Sequence, residues 1–161
     1  MTGLGVGGIQ VRAVPVDEVV PLRARVLRAG LPESSARLEG DDDPGTVAFG
    51  AFAAAADRPV GTATLMNQPC PWRPGVPAVR LRAMAIEEAL RGQGIGALVL
   101  AAAVGGARDT GADVLWCLAR TGARSFYDRA GFTVDGEEFD VPGIGPHVRM
   151  ALDLRATPSP G

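Results

Sequence analysis

The sequence predicts an α/β (α+β) fold, a mixed sheet covered by helices, and three observations carry that reading. Segments with two-residue apolar alternation and segments with helical spacing follow one another as strand, helix, three strands, helix, strand, helix, two strands. The chain has 161 residues, 47% hydrophobic and 21% charged, the make-up of a globular domain and not of a disordered chain. No internal repeat divides it. One core is therefore expected over 9–154, between a flexible N-terminus (1–8) and a flexible C-terminal tail (155–161), neither able to offset the entropy of ordering.

Taken in order, residues 9–14 alternate as a short strand. Asp17 then stands as the expected N-cap of an amphipathic helix through Val19, Leu22, Val26 and Leu27, stopped by Gly30 or Pro32. Residues 33–45 read as an exposed acidic loop, with Asp41, Asp42 and Asp43 in a row before Pro44; no spaced ligand set follows to make a cation site. Strands over 46–54 and 60–66, joined at Asp57, Arg58 and Pro59, have the pattern of an antiparallel hairpin. The loop 67–77 holds four prolines and Trp72, and either lines a cleft or caps the core. A strand over 78–86, a helix over 94–110, a strand over 113–119 and a helix over 121–130 ended by Gly131 come next. Strands over 132–139 and 146–154 complete the order.

Charge and cysteine usage narrow the function. All 16 basic residues are arginine, and against 18 acidic residues they leave a formal charge of −2, which gives no footprint for nucleic acid. Cys70 and Cys117 are too few for a disulfide framework and lack clustered partners for zinc, so both are expected as free thiols. The longest apolar run, Ala97 to Ala107, falls short of the roughly 20 residues a bilayer requires. No charged n-region precedes an apolar stretch at the start. A soluble, cytoplasmic protein without a membrane partner is expected.

The most informative stretch is Arg91, Gly92, Gln93, Gly94, Ile95, Gly96, Ala97, between a strand ending at Ile86 and an apolar helix. Glycine inside a helix costs about 0.5–1 kcal/mol relative to alanine, so three of them at a helix start call for a reason. Unpaired N–H groups there, with the positive end of the dipole, favour a phosphate, and Arg91 can add a charge-assisted contact. A tight loop that merely lets helix and sheet approach is the plainer alternative. Gly92, Gly94 and Ala97 also fit a dinucleotide-binding pattern, with Asp113 some way on. Against that, Glu87, Glu88, Ala89, Leu90 and Arg91 intervene where a tight strand-to-helix turn is needed, and too little chain follows for the two-half nucleotide fold.

Arg91, Gly94 and Gly96 resemble the acyl-CoA pyrophosphate loop of the GCN5-related N-acetyltransferase (GNAT) superfamily. Ala123, Phe126, Tyr127, Gly131 and Phe132 resemble that superfamily's later motif, an alanine and an aromatic-tyrosine pair shortly before a Gly-Phe. The resemblance is strong over about 78–135 and extends through the strand order across 9–154. It implies a single domain of GNAT type, with a mixed, mostly antiparallel sheet splayed between its fourth and fifth strands and helices on both faces.

The resemblance also implies an acetyl-CoA-dependent N-acetyltransferase, passing acetyl directly to an amine of a small molecule or of a peptide or protein. On that reading Met84, Ala85 and Ile86 give backbone contacts to the pantetheine and thioester, the N–H of Ile86 polarising the acetyl carbonyl. Arg91, Gly92, Gln93, Gly94, Ile95, Gly96 and Ala97 hold the pyrophosphate, and Tyr127 protonates the departing thiolate. Arg120 stands where many relatives carry an asparagine, so that role is not carried across. Glu87, Glu88, Glu137, Glu138, Asp140, His147 or a water path stay open as the base, and the acceptor itself carries no motif. Arg80 and Arg82 share a strand face and suit either surface ion pairs or a carboxylate on the acceptor. Cys117 reads as inert packing. A noncatalytic acyl-CoA sensor is the alternative function, and exposed edge strands favour a homodimer.

Overall fold

The computed structural model describes residues 8–155; of the ends expected to be flexible, 1–8 and 155–161, all but Gly8 and Arg155 lie outside them. Eight strands are present among these residues: β1 (Gln10–Val14), β2 (Val47–Phe52), β3 (Gly61–Met66), β4 (Ala78–Ile86), β5 (Val114–Arg120), β6 (Thr133–Val134), β7 (Phe139–Val141) and β8 (Gly145–Asp153). The helices are α1 (Val20–Leu27), α2 (Ile95–Asp109) and α3 (Arg124–Arg129). Hydrogen-bonded neighbours run β1-β2-β3-β4-β5-β8-β6, with β7 also on β8. The β4–β5 ladder is parallel, and the β1–β2, β2–β3, β5–β8, β6–β8 and β7–β8 ladders are antiparallel. The sheet is the mixed, mostly antiparallel one the sequence predicts.

The chain divides into two compact units. The first holds residues up to Asn67 and Leu81–Gly106, the second Gln68–Arg80 and residues from Ala107 on. In the first unit, β2 and β3 form the expected hairpin, registered from Val47↔Leu65 to Ala51↔Gly61. Helices cover both faces of β3. Thr64 accepts a hydrogen bond from Arg23 of α1 at 2.8 Å. Residues of opposite parity on β3 lie under α2: a methyl built on Gly61 would stand 3.1 Å from Ile95 and 3.3 Å from Val99, and one built on Gly106 would stand 3.2 Å from Leu65. Alternation of side chains along a strand requires this division. Val19, Leu22, Ala63, Leu65, Val99 and Ala103 are buried in this core.

Two expectations for this unit need correction. Asp17 does not cap α1: it sits inside a 3₁₀ turn, Val16–Glu18, and α1 starts with proline in its first turn and no side-chain cap. Pro21 suits that position because its missing N–H would be unpaired there anyway. The stretch 33–45 is not wholly solvated, since Asp41 is buried. Arg23 grips both its oxygens, Nη1 to Oδ2 at 2.8 Å and Nη2 to Oδ1 at 3.1 Å, and the Leu38 N–H donates to Oδ2 at 2.7 Å. Burial alone would raise the Asp41 carboxyl; these hydrogen bonds and the Arg23 charge outweigh it and hold the group below its ordinary range.

The strand expected over 78–86 is present with those bounds, but it is not regular. Ala83 has φ +55°, left-handed backbone in mid-strand. Arg82 lies against Met66, Nη1 to Sδ 3.9 Å, whereas Ile86 lies where a methyl on Gly61 would meet it at 2.9 Å. Residues 82 and 86 would share a face of a regular strand, yet 66 and 61 lie on opposite faces of β3. The side chains of β4 therefore change faces at Ala83, as a bulge requires.

In the second unit β5 pairs with β8 along its whole length, Val114↔Asp153 to Arg120↔His147. Its parallel ladder with β4 is registered only at Ala78↔Val114, Val79↔Leu115 and Arg80↔Trp116. Trp72 caps this core, its ring 5.4 Å from that of Trp116 in an edge-to-face arrangement, so the loop 67–77 serves packing here. The strand expected over 132–139 is two short ones, β6 and β7, separated by Asp135–Glu138, where Gly136 turns the chain at φ +84°.

Candidate functional site

The glycine-rich turn leads into α2. Gly92 has φ +81° and Gly94 φ +86°, while Gln93 between them has no such conformation. A methyl on Gly92 would meet nothing, so the backbone conformation, not crowding, demands glycine there. Left-handed residues alternating with ordinary ones turn successive N–H groups toward one side, the geometry of backbone anion nests. Arg91, Gly92, Gln93 and Gly94 are exposed, and Leu98 N–H donates to Gly94 O at 3.3 Å as the first turn of α2. The N–H groups of Ile95, Gly96 and Ala97 precede any intrahelical acceptor and add the positive end of a fifteen-residue helix.

In the same unit, Met84, Ala85 and Ile86 follow the Ala83 bulge at the end of β4. The next residue, Glu87, donates its N–H to Val60 O at 2.8 Å. Successive N–H groups of an extended strand point to opposite edges, so the Ile86 N–H points away from the β3 side.

In the second unit, Tyr127 on α3 is buried between Phe126 (centroids 5.0 Å) and Phe132 (5.4 Å). Burial, and to a lesser degree the Cys117 sulfur, push its phenol well above the usual value, so it carries its proton at every physiological pH. Burial likewise pushes the Cys117 thiol up to about 12, which leaves no thiolate for nucleophilic attack.

The candidate bases are scattered. Glu87 pairs with Arg25 at 2.8 Å. Glu88, Glu137, Glu138 and Asp140 are exposed. His147 is buried at the end of β8, its Nδ1 2.8 Å from Gly145 O and its ring tilted against Phe139, a structural setting for a lone histidine. No group of three or more His, Cys, Asp or Glu residues suited to a metal occurs among the described residues.

Arg80 and Arg82 part company. Arg80 lies over the Trp116 ring, 4.8 Å from its centroid, and Nη1 donates to Gln68 Oε1 at 3.2 Å. Arg82 is half-buried and enters none of the ion pairs found among the described residues, so the expected surface pairing is absent there. The bulge at Ala83 and the charge state of the region around Arg82 were beyond sequence reasoning; the one available signal was Arg23, a charge standing in the apolar stripe of α1.

With this geometry, the chain is compared with known proteins. The profile of the family described as "Acetyltransferase (GNAT) domain" matches residues 43–154, and the chain belongs to that family. It is accordingly an N-acetyltransferase of the acyl-CoA-dependent class. The N-acetyltransferase YitI of Bacillus subtilis is 29% identical over 149 residues, 92% of this chain and 99% of that one. Among solved structures, FeeM, an N-acyl amino acid synthase from uncultured soil microbes, has a TM-score of 0.74 at 19% identity, covering 91% of each chain. An aminoglycoside 6'-N-acetyltransferase complexed with coenzyme A has a TM-score of 0.71 at 16% identity, covering 92% of this chain and 99% of its own. Escherichia coli ElaA has a TM-score of 0.69 at 18% identity over 90% and 99%. No helix among the described residues is long and apolar enough to cross a membrane.

Proposed function

We propose that the chain transfers acetyl from acetyl-CoA directly to the amine of a second substrate. The observation that carries this is the turn from Arg91 to Ala97, where two left-handed glycines and the start of α2 gather backbone donors inside the segment the family profile matches. Its amides and Arg91 hold the diphosphate. The backbone of Met84, Ala85 and Ile86 receives the acyl arm, with the Ile86 N–H, aimed off the β3 side, donating to the thioester oxygen as negative charge develops on it.

The acceptor nitrogen attacks the carbonyl carbon, the carbon–sulfur bond breaks, and the Tyr127 hydroxyl gives its proton to the departing thiolate. The proton lost by the amine leaves through water or one of the exposed carboxylates. A thiol with Cys117's raised pKa supports direct transfer without an acyl-enzyme.

The test is calorimetry with CoA, acetyl-CoA and NAD, followed by a screen of amines for CoA release. Acetyl-CoA should bind, NAD should not, and Gly94→Glu should weaken acetyl-CoA at least about a hundredfold by straining the turn and adding charge. Unchanged affinity in the folded variant overturns the loop assignment. Binding without turnover on any amine would identify an acyl-CoA sensor instead.

A further inference from the structure

One arginine of the first unit, Arg82, is half-buried and outside every ion pair found among the described residues. Arg82 leaves β4 just before the bulge, on the strand face toward α1 and the 33–41 segment. Its Nη1 stands 3.9 Å from the Met66 thioether, a weak acceptor. Arg23, Arg28, Glu39 and Asp41 are the charged groups that act on it. Asp41 has both oxygens committed to Arg23 and the Leu38 N–H, so that pair cancels itself. Arg28 donates to the Leu27 carbonyl at 3.1 Å and, like the exposed Glu39, joins no ion pair. None of these groups forms an ion pair with Arg82.

A half-buried guanidinium is costly unless something supplies the bidentate acceptor its planar fork fits. We infer that Arg82 receives a carboxylate of the acceptor, so that the substrate is an amine bearing an acid group, a free amino acid. This rests on the acetyltransferase reading above. Met84, assigned to the acyl arm, lies two residues further along β4, a rise of at most about 7 Å. An α-amino acid, with amine and carboxylate on one carbon, bridges such a gap with the arginine side chain reaching back. The donor's own phosphates are a poorer match: their proposed holder, Arg91 to Ala97, opens α2 on the opposite face of β3 from α1.

Matched pairs test this. Glycine, L-phenylalanine and L-glutamate are each assayed against the corresponding α-amide, and N-acetyl-L-phenylalanine is titrated against its amide into the CoA-loaded protein, a pair free of the amine's own titration. In wild type the acids should exceed the amides about ten- to hundredfold in kcat/KM or affinity. Arg82→Gln should bring each pair within about threefold, and Arg82→Lys should keep part of the preference, while acetyl-CoA affinity stays unchanged in both. Amides that match the acids in wild type, or a preference that survives in folded Arg82→Gln, overturn the proposal. Should Arg82→Gln not fold, the wild-type pairs and Arg82→Lys decide. Failure of acetyl-CoA itself to bind would sink the acetyltransferase reading instead, and titration of the same acid and amide into the unliganded protein would still judge Arg82.

Discussion

Around Arg23, the first unit buries a full positive charge and answers it with Asp41, the Ala36 carbonyl and Thr64. Around Cys117, the second unit buries two ionisable groups, the thiol and the Tyr127 phenol, and leaves both outside any ion pair; burial outweighs the one cation acting on the thiol, Arg80. Arg23 cannot discard its charge at any accessible pH, so it must be paired. Cys117 and Tyr127 can simply keep their protons, and an apolar wall suffices. The first arrangement is sensitive to loss of either partner; the second sets protonation state and tolerates small changes.

Breaking the charged region should have the largest effect. Asp41→Asn leaves Arg23 buried without its counter-charge and should destabilise by about 3–5 kcal/mol in urea unfolding; a loss under about 1 kcal/mol would show that the pair is not a unit. Asp41 also predicts a pH dependence. Its carboxyl titrates lower in the folded chain than at its ordinary 3.8, so its stabilisation is present above that value and is lost as pH falls through the lower folded one. Unfolding midpoints measured from pH 6 downward should therefore show an acid limb that flattens in Asp41→Asn.

In the neutral region, Tyr127→Phe should lower kcat roughly a hundredfold with acetyl-CoA affinity nearly unchanged. Full turnover would assign the proton to water. Cys117→Ala should be the mildest, about 1 kcal/mol of stability for the small void and no change in kcat. A large loss of turnover there would revive a covalent route.

Much of the fold was legible because two periodicities were clean. Alternation found β1, β2, β3, β4, β5 and β8 to within two residues, and the apolar run of α2 was unmistakable between its glycine turn and Gly111. The region from Asp135 to Glu138 was not, because polar residues flanking Gly136 continue an alternating pattern while the chain turns. Asp41 was misread for a related reason: three aspartates in a row suggest solvent, and only Arg23 on the other side of 17 intervening residues explains why the first of them is inside. The candidate site was legible where it is backbone chemistry, since glycine spacing speaks directly of backbone shape. Arg82 carried no such signature, because a lone arginine on a strand has the same letter whether paired or not.

The left-handed Ala83 lets one strand serve two layers whose sequences can drift separately. Arg82 answers to the side of β3 that α1 covers, and Ile86, beyond the bulge, to the side that α2 covers. Exchanging position 82 therefore leaves the frame of Met84 to Ile86 untouched, whereas removing one residue at the bulge would invert every side chain beyond it. A scaffold jointed in this way can be retuned toward a new recipient molecule while its hold on the activated carrier stays as it was.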